Sequence, residues 1–199
     1  MSRSPITVRP AGPADVPVLT ALCDELRQVG GRAERAINPI LLPDLESQLR
    51  EIITKPHCRV VLACADDEPA GMAVLRVIRP DPLSSSRVVQ VAHVMVARGK
   101  RRRGVGHALI AAAADFADEQ KIEHVAAGLY PSLRDASRFY ARLGFAPVLV
   151  QRVAPVAILR RRLSPDGTTV RSDLVRRRNR VRRPVPAQRA TASLGERVD

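Results

Sequence analysis

The sequence is poor in aromatic residues: three Phe, two Tyr and no Trp occur among its 199 residues. Apolar residues still make up 45% of the chain, which is enough for a buried core in one domain of this length. The core is therefore expected to consist mainly of Val, Leu, Ile and Ala side chains.

Cysteine is also scarce, since the chain has only Cys23, Cys58 and Cys64. An odd number of cysteines without metal-ligand spacing argues against a disulfide scaffold and a metal site, and favours buried thiols in a reducing compartment. No stretch approaches the run of about 18 apolar residues that indicates a membrane span, and the first residues lack the apolar segment of a signal peptide. These absences predict a cytoplasmic protein with no membrane partner and no metal.

Negative charge is in short supply, because 20 acidic residues face 33 basic ones and give a net charge of +13. Such an excess attracts polyanions, among them nucleotide phosphates, nucleic acid and acidic membranes. The charge alone does not select one of these partners.

The hydrophobic pattern predicts a domain of mixed strands and helices, of the α/β class, over residues 1–163. A near-continuous apolar run at residues 87–97 is typical of a strand in the middle of a sheet. Helices are expected from Gly12–Asp15 onward, around Leu45 and Leu49, from Val105, and from a capping Ser132 to Leu143. The predicted strands are residues 6–9, 59–65, 71–78, 87–97, 124–129, 148–151 and 156–159.

The composition changes at residues 164–199, which contain nine Arg, three Pro, four acidic residues and no aromatic residue. Such a segment buries too little apolar surface to order itself, so we expect a disordered tail outside the domain. The arginine-rich residues 176–183 would allow salt-sensitive contact with nucleic acid. The lack of rings for base stacking makes a solvated extension the favoured interpretation.

A loop of spaced glycines follows the apolar run, with the sequence GKRRRGVG at residues 99–106 and a long helix directly after it. Amides of a first helical turn point outward and the helix dipole attracts negative charge, so this arrangement favours phosphate binding. Gly104 and Gly106 allow the backbone to approach the anion closely. The loop lacks the Gly-Lys-Ser/Thr of a nucleoside-triphosphate loop, and Leu109 replaces the third glycine of a dinucleotide-binding fingerprint.

The pattern Arg-x-x-Gly-x-Gly at residues 101–106, after the strand VVQVAHVMV, resembles the signature of the GCN5-related N-acetyltransferases. A second segment, FYARLGF at residues 139–145, is similar to the family helix that ends in Tyr-x-x-x-Gly-Phe. One helix and one strand separate the two segments, as in the family, and the element order agrees from Ile6 to about Leu163. The resemblance implies a central mixed sheet flanked by helices.

The same resemblance implies acetyl-CoA as the cofactor, coenzyme A as the product and an amine of a small molecule or protein as the acceptor. The strand before the loop would follow the pantetheine arm and offer an amide to the acetyl carbonyl. The loop would hold the diphosphate. The residues implied in cofactor binding are Val94, Met95, Val96, Arg101, Arg102, Arg103, Gly104, Val105, Gly106 and His107.

Tyr140 corresponds to the family tyrosine that gives a proton to the departing thiolate, with simple ring packing against Phe139 as the alternative. Two positions depart from the family pattern: Leu133 replaces an asparagine, and Gln90 replaces a glutamate that acts as general base. His93 on the same strand is a candidate base, because its intrinsic pKa lies near neutrality. An ordinary structural histidine is the alternative.

Other candidates for the base are Glu25, Glu34 and a chain of water molecules, and an amine that arrives already neutral would need no base. Leu133 and Gln90 also keep open a second function, a module that senses acetyl-CoA without turning it over. The acceptor would lie near the loop at residues 28–38, and the sequence of this loop does not identify a substrate. A basic surface disfavours polycationic acceptors and suits an amine with a carboxylate or phosphate. Monomer and homodimer both remain open.

Overall fold

The structure is a computed structural model that describes residues 5–26, 44–129 and 133–164. The chain divides into two compact units, Met1–Ala146 and Pro147–Asp199. Several predictions concern residues outside the described ranges. They are the disordered tail, of which only Ser164 is described, the acceptor loop at residues 28–38 with the candidate base Glu34, and the capping Ser132. Among the helices that are described, none combines the length and apolar character needed to cross a membrane.

The first unit is built around one five-stranded sheet. Its strands are β1 (Ile6–Pro10), β2 (Cys58–Ala65), β3 (Glu68–Ile78), β4 (Val88–Val96) and β5 (Val125–Ala127), and they lie side by side in the order β1-β2-β3-β4-β5. Neighbouring strands are antiparallel from β1 to β4, and β4 and β5 run parallel. The helices are α1 (Val16–Leu26), α2 (Leu45–Thr54), α3 (Val105–Glu119) and α4 (Arg134–Arg142). The predicted mixed sheet is confirmed.

Aliphatic side chains fill a core on each face of the sheet. Because side chains alternate along a strand, Val61 and Ala63 of β2 join the core beside α3, whereas Leu62 joins the core beside α1 and α2. The α3 core contains Leu109 and Phe116, both almost completely buried. β4 lies between β3 and β5, so the predicted central position of the apolar run is confirmed.

The start of α1 is fixed by a carboxylate. A short 3₁₀ turn at Pro13–Asp15 precedes the helix, and Asp15 accepts a hydrogen bond from the Gly12 amide at 2.8 Å. Both Asp15 oxygens also accept hydrogen bonds from the Arg9 guanidinium at 2.7 Å. The Arg9 hydrogen bond, followed by that of Gly12, lowers the pKa of Asp15 to about 2.

We expect Asp15→Asn to destabilise the protein above about pH 4 and to make little difference near pH 2. The folded pKa lies below the unfolded one, so the stabilisation is present above the unfolded pKa of Asp and is lost as the pH falls through about 2. Urea unfolding of both proteins over this pH range measures the difference. Asp67→Asn, in an exposed turn, is the matched control, and a difference that does not shrink toward low pH would contradict the prediction.

Two predicted strands are wrong, and both lie in the second unit. Residues 148–151 form no strand, and residues 156–159 belong to a helix, α5 (Val156–Leu163). The amides of Ile158 and Leu159 donate to the Pro155 carbonyl, which starts the helix, and three arginines near its C-terminus suit the helix dipole. The Val148 side chain is 95% exposed, so the apolar run at residues 148–151 does not indicate a buried strand.

Candidate functional site

The edge of β4 that faces β5 is paired along only part of its length. β5 pairs with β4 through Val89, Gln90 and Val91, and the pairing ends there. β4 itself continues to Val96 along β3. The backbone groups of the second half of β4 on this side therefore have no strand partner among the described residues.

A β-bulge in β4 marks the point where this gap begins. Leu75 of β3 lies opposite Val91, and Val74 lies opposite His93, so Ala92 is an extra residue on β4. A bulge bends its strand and increases the local twist, which explains why the short β5 stops pairing at this point. The bulge also leaves Ala92 and His93 on the same face, next to α1 and α2.

The direction of the amides in the second half of β4 follows from one hydrogen bond. The Ala97 amide donates to the Ala70 carbonyl at 2.9 Å, and so points toward β3. Successive amides of a strand point to alternate edges. The amides of Val94 and Val96 therefore point to the open edge, which refines the prediction of an amide donor near Met95 or Val96.

The open edge leads directly to the N-terminus of α3. Gly104 is the N-cap residue and has a φ of 99°, a left-handed conformation that suits glycine. The first amide of the helix ladder is that of Ala108, which donates to the Gly104 carbonyl at 3.1 Å. The amides of Val105, Gly106 and His107 are therefore outside the ladder and available to an anion.

Two basic residues of the loop are paired with the β2–β3 hairpin. Lys100 Nζ lies 2.8 Å from Glu68, and Arg103 Nη1 lies 3.8 Å from Asp66. These ion pairs fix the outer side of the loop. To bind a phosphate, Arg103 would have to move away from Asp66 or contact Asp66 and the phosphate at the same time.

The other two arginines of the loop have no acidic partner among the described residues. Arg101 Nε donates to the Val96 carbonyl at 3.4 Å, so its side chain lies over the open edge of β4. Arg102 is exposed and has a φ of 61°, an unusual left-handed conformation for a residue with a large side chain. Both guanidinium groups remain available to a phosphate.

The two sequence segments that carried the family resemblance are in contact. A Cβ atom added to Gly106 would lie 3.3 Å from Cζ of Phe139, a tight contact, so the Phe139 ring of α4 packs closely against the first turn of α3. The His107 ring meets Phe139 edge to face, with ring centroids 5.2 Å apart. The structure therefore brings the loop and the helix of Tyr140 together.

Tyr140 is held in a cluster of three aromatic rings. Its ring meets Phe139 and Phe145 edge to face, at centroid distances of 5.2 and 5.1 Å. Burial raises the pKa of Tyr140 to about 12, so the phenol is protonated at neutral pH. Its hydroxyl makes no hydrogen bond with the described residues, so the packing of the ring leaves the proton available.

His93 lies on the opposite face of the sheet from α3. Burial, and then the positive charge of Arg76, lower the pKa of His93, so the imidazole is neutral near pH 7. Gln90 accepts a hydrogen bond from Arg76 Nε at 2.7 Å. Glu25, another candidate base, accepts the Arg98 amide at 2.6 Å and joins α1 to the turn after β4.

Sequence reasoning missed two residues of this region. Gly71 of β3 lies opposite Val96, and a Cβ atom there would be 2.5 Å from the Met95 carbonyl oxygen. A glycine inside a strand is a known sign of close backbone approach, so this signal was present. The second missed residue is Arg76, and its signal in the sequence was a charged residue within an otherwise apolar strand. No metal-binding group of His, Cys, Asp or Glu occurs within residues 5–26, 44–129 and 133–164.

Comparison with known proteins identifies the family. The model of the acetyltransferase (GNAT) family matches residues 22–145, and the chain belongs to this family. No curated protein sequence matches the chain.

Solved structures of acetyltransferases share the fold. The aminoglycoside N-acetyltransferase AAC(6')-Iy in complex with CoA is 20% identical, with a TM-score of 0.62 over 76% of this chain and 95% of its own. A ribosomal-protein-alanine N-acetyltransferase from Brucella melitensis is 18% identical, with a TM-score of 0.60 over 76% and 99%. The BH1408 protein of Bacillus halodurans, as a tetramutant, is 17% identical, with a TM-score of 0.65 over 75% and 99%.

Proposed function

We propose that this protein transfers the acetyl group of acetyl-CoA to a primary amine of a small molecule or protein. The observation that carries the proposal is the continuity of three features: the unpaired edge of β4, the free amides at the start of α3, and the Tyr140 hydroxyl on the helix packed against that start. Family membership and a related structure in complex with CoA support it.

The chain has suitable groups for each part of acetyl-CoA. The amides of Val105, Gly106 and His107 would bind the diphosphate, with Arg101 and Arg102 adding positive charge. The edge of β4 at Val94 and Val96 would pair with the amide groups of the pantetheine arm as a missing strand would. Acetyl-CoA supplies an activated acetyl thioester when bound.

The residues around the β4 edge would then assist acyl transfer. A backbone amide of β4 that donates to the acetyl oxygen would stabilise the negative charge that develops there, in the manner of an oxyanion hole. Tyr140 would give its proton to the sulfur that leaves, since the hydroxyl is protonated and has no competing partner among the described residues. Neither role depends on the identity of the amine.

His93 is the candidate for the group that receives the proton of the amine. It lies on the face of α1 and α2, at the bulge where the gap between β4 and β5 opens. Its lowered pKa keeps the imidazole unprotonated near pH 7 and able to accept a proton. Gln90 cannot take this role because an amide is not basic, and Glu25 is engaged by the Arg98 amide.

The proposal is tested with the full chain by calorimetry and by thiol release. We expect heat of binding with both acetyl-CoA and coenzyme A, and release of free thiol from acetyl-CoA that depends on an added amine. Binding without amine-dependent release, over a panel of amino acids, aminoglycosides and peptides, would favour the acetyl-CoA sensor instead. The absence of heat with both ligands would overturn the assignment of the site itself.

A further inference from the structure

Arg76, like Arg101 and Arg102, has no carboxylate partner among the described residues. It is exposed, although it lies within β3, close to the end of the strand, with the apolar residues Leu75 and Val77 on either side. Its side chain makes one hydrogen bond with the described residues, from Nε to the neutral amide oxygen of Gln90, at 2.7 Å. Other arginines do form ion pairs with described carboxylates: Arg9, Arg50, Arg59, Arg103 and Arg138.

The position of Arg76 relates it to the candidate base. Arg76 lies opposite Gln90 and Val74 lies opposite His93, so the two pairs are neighbours along the β3–β4 ladder. The core beside α1 and α2 contains Val74. Alternation along β3 directs Arg76 to that same face, away from α3. The charge of Arg76 lowers the pKa of His93, which is consistent with a short separation.

Gln90 limits the donors that Arg76 can offer. A guanidinium has five N–H donors in a planar fork, and Gln90 occupies the one on Nε. The two terminal nitrogens have no hydrogen-bond partner among the described residues and can bind both oxygens of a carboxylate or phosphate in parallel. The hydrogen bond also restricts the long side chain, so less rotational entropy is lost when an anion binds.

We propose that Arg76, positioned by Gln90, binds an anionic group of the acceptor, so that the preferred substrate is an amine carrying a carboxylate or a phosphate. This inference rests on the proposed function, because it concerns the acceptor of the same reaction. The anion would bind on the α1 and α2 face, beside the imidazole that takes the proton of the amine. The phosphates of acetyl-CoA are assigned to the opposite side, at the N-terminus of α3.

The test compares amines that differ in one charge. The values of kcat/KM are measured for β-alanine against β-alaninamide, and for 2-aminoethyl phosphate against ethanolamine, at equal concentrations of unprotonated amine. We expect the anionic member of at least one pair to be preferred by roughly 10- to 100-fold, since a charge-assisted hydrogen-bond pair contributes on that order. The pair with the larger ratio identifies carboxylate or phosphate as the preferred group.

Variants assign the preference to Arg76. Arg76→Gln should abolish the ratio, Arg76→Lys should retain part of it, and Arg79→Gln, which removes a nearby charge just beyond the end of β3, should leave it intact. Gln90→Glu should also reduce the ratio, because the new carboxylate would form an ion pair with the Arg76 guanidinium and compete with the anionic group of the acceptor. The affinity for acetyl-CoA should stay the same in all four variants.

Two results would overturn the inference while leaving the proposed function in place. One is a wild-type enzyme that acetylates the neutral amines as well as the anionic ones. The other is a preference for anionic amines that survives in Arg76→Gln. Failure of the proposed function gives a different result, the absence of acetyl-CoA binding or of any amine-dependent thiol release.

Discussion

Replacing Tyr140 by Phe is expected to lower kcat for amine acetylation about 100-fold or more, with little change in the affinity for acetyl-CoA. The phenol is protonated at neutral pH because burial raises its pKa to about 12, and its hydroxyl has no partner among the described residues. Loss of a positioned acid typically lowers the rate by about 10²- to 10⁴-fold. Steady-state kinetics and calorimetry with acetyl-CoA measure the two quantities separately.

The same variant distinguishes proton donation from ring packing. Phe preserves the edge-to-face contacts that Tyr140 makes with Phe139 and Phe145, and it leaves no polar partner unsatisfied, so the free energy of unfolding should change little. An unaltered kcat in Tyr140→Phe would mean that the ring only packs and that the thiolate obtains its proton elsewhere.

The sequence was most informative between residues 58 and 119. The strands predicted at residues 59–65 and 71–78 require a turn between them, and Asp66 and Asp67 there both have a positive φ, as a tight hairpin of two residues requires. The central strand, the glycine loop and the long helix then follow with bounds close to the predicted ones. In this region the turn chemistry, the hydrophobic period and the glycine spacing all favour the same structure, so local signals suffice.

The two predicted strands after Gly144 show where local signals fail. A short apolar run such as VAIL at residues 156–159 fits a strand or a buried helical turn equally well. The following arginines, Arg160, Arg161 and Arg162, are good helix formers, and the chain continues as a helix through them. Strand formation also needs a neighbouring strand, and a sequence pattern does not provide one.

The loop and the tyrosine helix could be predicted from spacing, but the geometry of the gap in β4 could not. The bulge at Ala92 depends on which residues of β3 lie opposite it. An apolar strand with one extra residue has the same hydrophobic pattern as one without, so the sequence does not reveal the bulge. The pairing of Arg76 with Gln90 has the same origin, since the two residues are 14 positions apart in sequence and adjacent only across the ladder. Contacts between strands therefore account for most of what sequence reasoning missed.

Gly71→Ala is expected to destabilise the protein by about 3 kcal/mol or more and to weaken acetyl-CoA binding strongly. The added Cβ would lie 2.5 Å from the Met95 carbonyl oxygen, 3.0 Å from Val105 Cγ1 and 3.3 Å from Val96 Cα. Two of these atoms belong to the backbone of the β4 segment with the open edge, and the third belongs to the first residue of α3. The strands must separate to admit the methyl group, and this moves the amides proposed to bind acetyl-CoA.

Gly99→Ala is the matched control for this prediction, because the same methyl group would meet no atom within 4 Å at a site just beyond β4. Urea unfolding and calorimetry with acetyl-CoA should show both losses in Gly71→Ala and neither in Gly99→Ala. If Gly71→Ala loses stability yet binds acetyl-CoA normally, the β4 edge and the start of α3 do not form the binding site together. The close approach at Gly71 would then serve only the packing of β3 against β4 and α3.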